Sequence, residues 1–111
     1  MRNTNLKAIA CKISRGGFSD ERVFSFKVAD EEYSGVASRG HMWDANGKPI
    51  EDGEPPLGDI MDGYVAVRVL EARADATALV SVPDGGVVEM PLNQLEDRPS
   101  GVGQRNVPIG S

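Results

Sequence analysis

Arg22-Val23-Phe24-Ser25-Phe26-Lys27-Val28-Ala29 is the stretch on which the fold turns. Phe24, Phe26 and Val28 alternate with Val23, Ser25 and Lys27, the two-residue period of a strand with one apolar and one polar face. Outward from it the same period recurs. In Lys7 to Ile13, the side chains of Ile9, Cys11 and Ile13 share a face opposite Ala8, Ala10 and Lys12. From Tyr64 to Arg73, Val65, Val67 and Val69 lie opposite Ala66, Arg68 and Leu70, and Ala76–Val82 and Val87–Met90 complete a second β region. No stretch has the periodicity of an amphipathic helix. Val and Ile number 17 against 10 for Leu and Met together, an excess of stiff β-branched side chains that suits pleated sheet.

The connections carry matching turn chemistry. Pro83-Asp84-Gly85-Gly86 presets one φ and permits a positive one, so it predicts a tight hairpin. Ala74-Asp75 is a second short turn, and Asp30-Glu31-Glu32 joins the Phe-rich strand to a shorter one over Tyr33–Ser38. Pro91 to Glu96 predicts a single helical turn that points Leu92 and Leu95 inward. The expectation is an all-β domain over residues 1–97. Its form is a small SH3-like or Tudor-like barrel or a compact two-sheet sandwich, of about five to seven strands with one short helical turn near the C-terminal end. An OB-type barrel is the structural alternative. Within the domain, residues 39–63 form a long acidic loop bearing Pro49, Pro55, Pro56, Gly53 and Gly58, and 98–111 form a flexible tail.

Tyr64-Val65-Ala66-Val67-Arg68-Val69, Ala78-Leu79-Val80, the Pro83-Asp84-Gly85 turn and Val88-Glu89-Met90-Pro91 resemble the closing half of an SH3-like, Tudor-like or KOW-like barrel. The resemblance covers residues 64–96 and implies a fold. Such modules bind peptides, modified side chains or nucleic acid through aromatic surfaces, and here Tyr64 is the sole aromatic residue in the matching segment.

Composition narrows the function classes. The chain has 111 residues, enough for one core without a metal or disulfide staple. A single cysteine and a single histidine, Cys11 and His41, leave no disulfide framework, no Cys-based zinc cluster and no His-pair metal motif. Cys11 reads as a packed core thiol rather than a nucleophile, because Ile9 and Ile13 share its face. Asp44-Ala45-Asn46-Gly47 lacks the spacing of a calcium loop and predicts an Asx turn. No apolar run approaches the roughly 18 residues of a membrane span, and Leu6–Cys11 is too short for a signal peptide, so the expectation is a cytoplasmic protein without cofactor.

Charge is uneven. The formal net charge is −5, and residues 43–63 hold Lys48 against Asp44, Glu51, Asp52, Glu54, Asp59 and Asp62. The acid-rich loop and the adjoining Met42-Trp43 predict a non-catalytic protein-interaction module or accessory subunit. Its contacts would be Met42, Trp43, Glu51, Asp52, Glu54 and Asp59, and its partner another, basic protein. The alternative is a nucleic-acid-binding barrel that uses the basic N-terminal hairpin. There Arg15-Gly16-Gly17-Phe18 sets a ring among cations, and Lys12, Arg15, Phe18, Arg22 and Lys27 are its candidate contacts.

Overall fold

A computed structural model of the chain describes residues 5–99. Eight strands follow in order: β1 (Leu6–Arg15), β2 (Glu21–Val28), β3 (Glu31–Ser38), β4 (Met42–Asp44), β5 (Met61–Ala72), β6 (Thr77–Ser81), β7 (Val87–Pro91) and β8 (Glu96–Asp97). Single 3-10 turns at Arg39–His41 and Leu92–Gln94 are the helical elements. The sheet is one antiparallel layer in the order β3-β2-β1-β5-β6-β7, with β4 added to β5 and β8 added to β1. It curls into a half-barrel of one sheet, which bears out the expected small all-β, barrel-like domain with one layer in place of two.

The curl encloses the apolar face that the alternation had marked. Ile9, Cys11 and Ile13 of β1, Phe24 and Phe26 of β2, Val65 and Val67 of β5, Val80 of β6 and Met90 of β7 meet in one core. Each such side chain contributes about 1.5–3 kcal/mol by leaving water. Leu92 and Leu95 pack against this core from the predicted turn. Across β2 and β3 three rings stack, Phe24 on Phe26 at 6.2 Å and Phe26 on Tyr33 at 5.4 Å between centroids. In β5 the register shifts between Val69 and Glu71, leaving Leu70 as a bulge residue that faces solvent.

The predicted turns form. In Pro83–Gly86 the Val82 N–H donates to the Gly86 carbonyl at 3.0 Å, Asp84 Oδ1 accepts from the Gly86 N–H at 2.9 Å, and Gly85 has φ 94°. Tyr33 Oη donates to both oxygens of the Asp84 carboxylate, at 3.0 and 2.9 Å, tying β3 to this hairpin. A side chain at Gly35 would strike Asp84 and Phe24, and one at Gly86 would strike Tyr33, so this closure requires glycine on both sides of it. Ala74-Asp75 also turns as expected, with Asp75 Oδ1 accepting from the Thr77 hydroxyl at 2.6 Å. Of the tail, residues 100–111 lie outside the described residues. Arg98, assigned to that tail by sequence, donates to the Lys7 and Val67 carbonyls at 3.0 and 2.9 Å.

Three surface carboxylates titrate below the ordinary Asp value of 3.8: Asp20 through the Ser38 hydroxyl, Asp75 through Thr77, and Asp97 through Lys7. A depressed native pKa means that the stabilisation is complete above the unfolded value and disappears as pH falls through the native one. Thermal melts should therefore lose stability below about pH 4. In the triple variant Asp20→Asn/Asp75→Asn/Asp97→Asn the acid-induced fall in Tm should be smaller; an unchanged fall would place the acid sensitivity elsewhere.

Candidate functional site: a loop held by arginines

Between β4 and β5 the chain has too many prolines and glycines to join a ladder, so its backbone must find other partners. It finds them in stages. Asp44 Oδ1 accepts from the Asn46 and Lys48 amides, each at 2.9 Å, which is the predicted Asx turn. Trp43 bridges to Pro49, and the next residue, Ile50, buries its side chain in the core. Glu51 to Glu54 then closes a turn, with the Glu54 N–H donating to the Glu51 carbonyl at 3.0 Å and Glu54 Oε1 accepting from the Glu51 N–H at 3.1 Å. The Glu54-Pro55 peptide is cis, and Pro55 is buried.

The carbonyls of this loop are taken by arginine. Arg39 Nη1 donates to the Ile50 carbonyl at 3.0 Å. Arg22 reaches three more: Nη2 donates to Glu51 and Asp52 at 3.3 and 2.9 Å, and Nε to Glu54 at 2.6 Å. Arg15 Nε donates to the Pro55 carbonyl at 2.9 Å. Arg22 also turns Nη1 back onto the Ser19 and Glu21 carbonyls, each at 2.8 Å, so one guanidinium joins the β1–β2 turn to the loop. It is 0% exposed. Burial, followed by the neighbouring charges of Arg15 and Arg39, pushes its pKa below the ordinary guanidinium value. The planar fork has five donors, and here it is matched to carbonyls rather than to a carboxylate.

Two of the sequence expectations are corrected by this geometry. Arg22 was a candidate nucleic-acid contact, but it lies on the inner face of β2 and spends its donors on main-chain oxygens. Met42 was a candidate partner contact, but it is 1% exposed and belongs to the core. The remaining basic candidates are dispersed. Arg15 is engaged by Pro55, and Lys12 is paired with Asp62 at 2.5 Å on the outer face of the sheet. Lys27 is exposed at the far end of β2, and Phe18 is exposed in the β1–β2 turn. Trp43 is half-buried on β4, beside Tyr64 of β5.

The fold does join the β1–β2 turn to the loop through Arg22, with exposed carboxylates and apolar side chains on both segments. Glu51 and Asp52 are exposed on the loop, with Glu54 half-buried beside them. The chain continues through a Pro56–Asp59 turn, in which the Asp59 N–H donates to the Pro56 carbonyl at 2.9 Å. This places Leu57, 81% exposed, and Ile60, 70% exposed, on either side of Asp59. Phe18, 75% exposed, rises from the β1–β2 turn that Arg22 ties to the same loop. Sequence reading marked Phe18 as a nucleic-acid contact and passed over Leu57 and Ile60. No pattern in the sequence separates them from Ile50, an apolar residue of the same segment that is buried in the core.

Chemistry of other kinds finds little purchase on the described residues. Burial, helped by the charge of Asp62, pushes the Cys11 thiol up to about 12, so at neutral pH it is a thiol and not the thiolate that attacks or binds metal. Among the described residues no group of three His, Cys, Asp or Glu side chains is arranged to hold a metal ion, and no helix is long and apolar enough to cross a membrane. Comparison with family models, curated proteins and solved structures finds no match to this chain.

Proposed function

We propose that this chain is a non-catalytic protein-interaction module or accessory subunit that docks a basic partner on the surface of the β4–β5 loop and the β1–β2 turn. The observation that carries the reading is the exposure of Leu57 and Ile60 in the acidic segment before β5, and of Phe18 on the β1–β2 turn that Arg22 joins to residues 51–54. Large exposed apolar side chains lose hydration favourably on docking, and holding them on an ordered backbone lowers the entropy lost at that step. Glu51, Asp52, Glu54 and Asp59 supply an acidic rim, which steers encounter with a cationic surface more than it strengthens the final complex. A cytoplasmic setting belongs to the same proposal.

The experiment compares partners recovered from native extract by the wild-type chain, by Phe18→Ser/Leu57→Ser/Ile60→Ser, and by Glu51→Gln/Asp52→Asn/Glu54→Gln/Asp59→Asn. The apolar variant should lose a specific partner, with affinity down by a factor of about 30 or more, because anchors at interface centres are worth about 2 kcal/mol or more each. The neutralised variant should associate more slowly and with a flatter salt dependence, while dissociation stays nearly constant. Recovery of the same proteins by all three chains would overturn the proposal. So would binding of single-stranded RNA or DNA below about 10 μM at physiological salt, tighter than most nonspecific contacts achieve.

A further inference from the structure

The sheet is open along one line. Its path ends at β3 on one side and β7 on the other, where β3 pairs with β2 and β7 with β6. The Tyr33–Asp84 hydrogen bonds cross this seam through side chains, leaving a cleft of about 280 Å³ lined by Glu31, Glu32, Tyr33, Val87, Val88 and Glu89. An eight-residue edge strand presents unpaired N–H and C=O groups in a row, a template on which another extended chain can pair.

The side chains along the seam say what kind of chain that is. Tyr33 and Val88 are half-buried and pack against the core, so residues entering above them must be apolar. On the outer face stand Glu32 and Val87, the valine 56% exposed, with Glu31 at the start of the edge. Glu89 is already paired with Arg73 at 2.6 Å. Among the described residues Glu31 has no side-chain partner and Glu32 has only Lys27 opposite it in the β2–β3 register, so the rim keeps negative charge. Cross-strand pairing rewards opposite charges and apolar contacts at alternate positions.

We infer that the seam between β3 and β7 docks an extended segment of a partner protein in which apolar and basic residues alternate, added to the sheet as a strand along β3. The inference goes beyond the loop-surface reading and does not depend on it. The test titrates the full chain, labelled with nitrogen-15, with an acetylated and amidated peptide of about eight residues alternating lysine and valine. Two control peptides are used, one alternating glutamate and valine, the other carrying the lysines and valines in separate blocks.

Binding of the first peptide should saturate and slow amide exchange over residues 31–38. Glu32→Gln should weaken it about threefold, as expected for one partly exposed ion pair on the outer face. The variant neutralised at Glu51, Asp52, Glu54 and Asp59 should bind as the wild type does, which separates this site from the loop surface. Equal binding of the block peptide or of the glutamate peptide would show attraction without strand register and overturn the inference. The inference also fails if shifts fall on the loop alone or if exchange over 31–38 is unchanged. It fails equally if the protein without peptide already protects that edge in a concentration-dependent way, as a second copy would.

Discussion

Arg22→Ala is expected to destabilise the protein by about 3–5 kcal/mol, the loss typical of removing one side of a buried, hydrogen-bonded charge. The guanidinium makes five hydrogen bonds, all to main-chain carbonyls of residues 19, 21, 51, 52 and 54. Its removal leaves the Ser19, Asp52 and Glu54 carbonyls without a donor, while Glu21 and Glu51 keep the amides of Gly16 and Glu54, and each buried acceptor left unpaired costs about 1–3 kcal/mol unless water reaches it. Arg22→Lys should recover little, because an ammonium is a point donor and cannot reach two separated turns at once. Arg22→Met separates packing from hydrogen bonding: it keeps much of the volume and should remain about as unstable as the alanine variant. Urea unfolding measures the cost, and amide exchange over 51–55 locates it. A change below about 1 kcal/mol in Arg22→Ala would show that the loop is held by something else.

Phe24→Ala should cost about 3–5 kcal/mol, as large aromatic truncations in a core do. Phe24 is fully buried, stacks on Phe26 at 6.2 Å and on Tyr33 at 6.4 Å, and its ring edge abuts Gly35. Truncation therefore opens a cavity at the centre of the three-ring stack, where the glycine leaves nothing to move in. Phe26→Ala should fall in the same range. Ser25→Ala, one residue away on the other face, should stay within about 0.5 kcal/mol. Equal losses at Ser25 and Phe26, measured by denaturant melts, would mean that β2 sits in the opposite register.

The register of β2 was legible because its rings alternate without exception, and the hairpin at Pro83–Gly86 because its turn chemistry is local. The same alternation, followed one step further back, places Arg22 on the face of Phe24 and Phe26. Its cationic character invited a surface role, although parity already pointed it inward. A buried arginine in a strand implies a set of acceptors that no strand can supply, and so implies a loop folded over it. That loop was legible only as irregular. Its order comes from carbonyls up to 40 residues distant in sequence from the arginine that binds them, and main-chain acceptors leave no trace in residue identity. Met42 failed for a related reason: three residues of strand between a 3-10 turn and an Asx turn are too few to show a period, yet β4 pairs with β5 and turns Met42 into the core. The loop surface was half legible, its carboxylates through their density and its apolar members not at all.

Arg15, Arg22 and Arg39 grip the loop by oxygens that every amino acid possesses. The shape of residues 50–55 is thereby uncoupled from most of its own lettering. Glu51 and Asp52 are free to mutate without loosening what holds them, and Gly53, with open space where a Cβ would stand, is free to acquire a side chain. Ile50 and Pro55, both buried, are the constrained ends of the segment. Such a segment can drift toward new partners while the barrel beneath it stays the same, and it offers a ready site for grafting foreign recognition sequences.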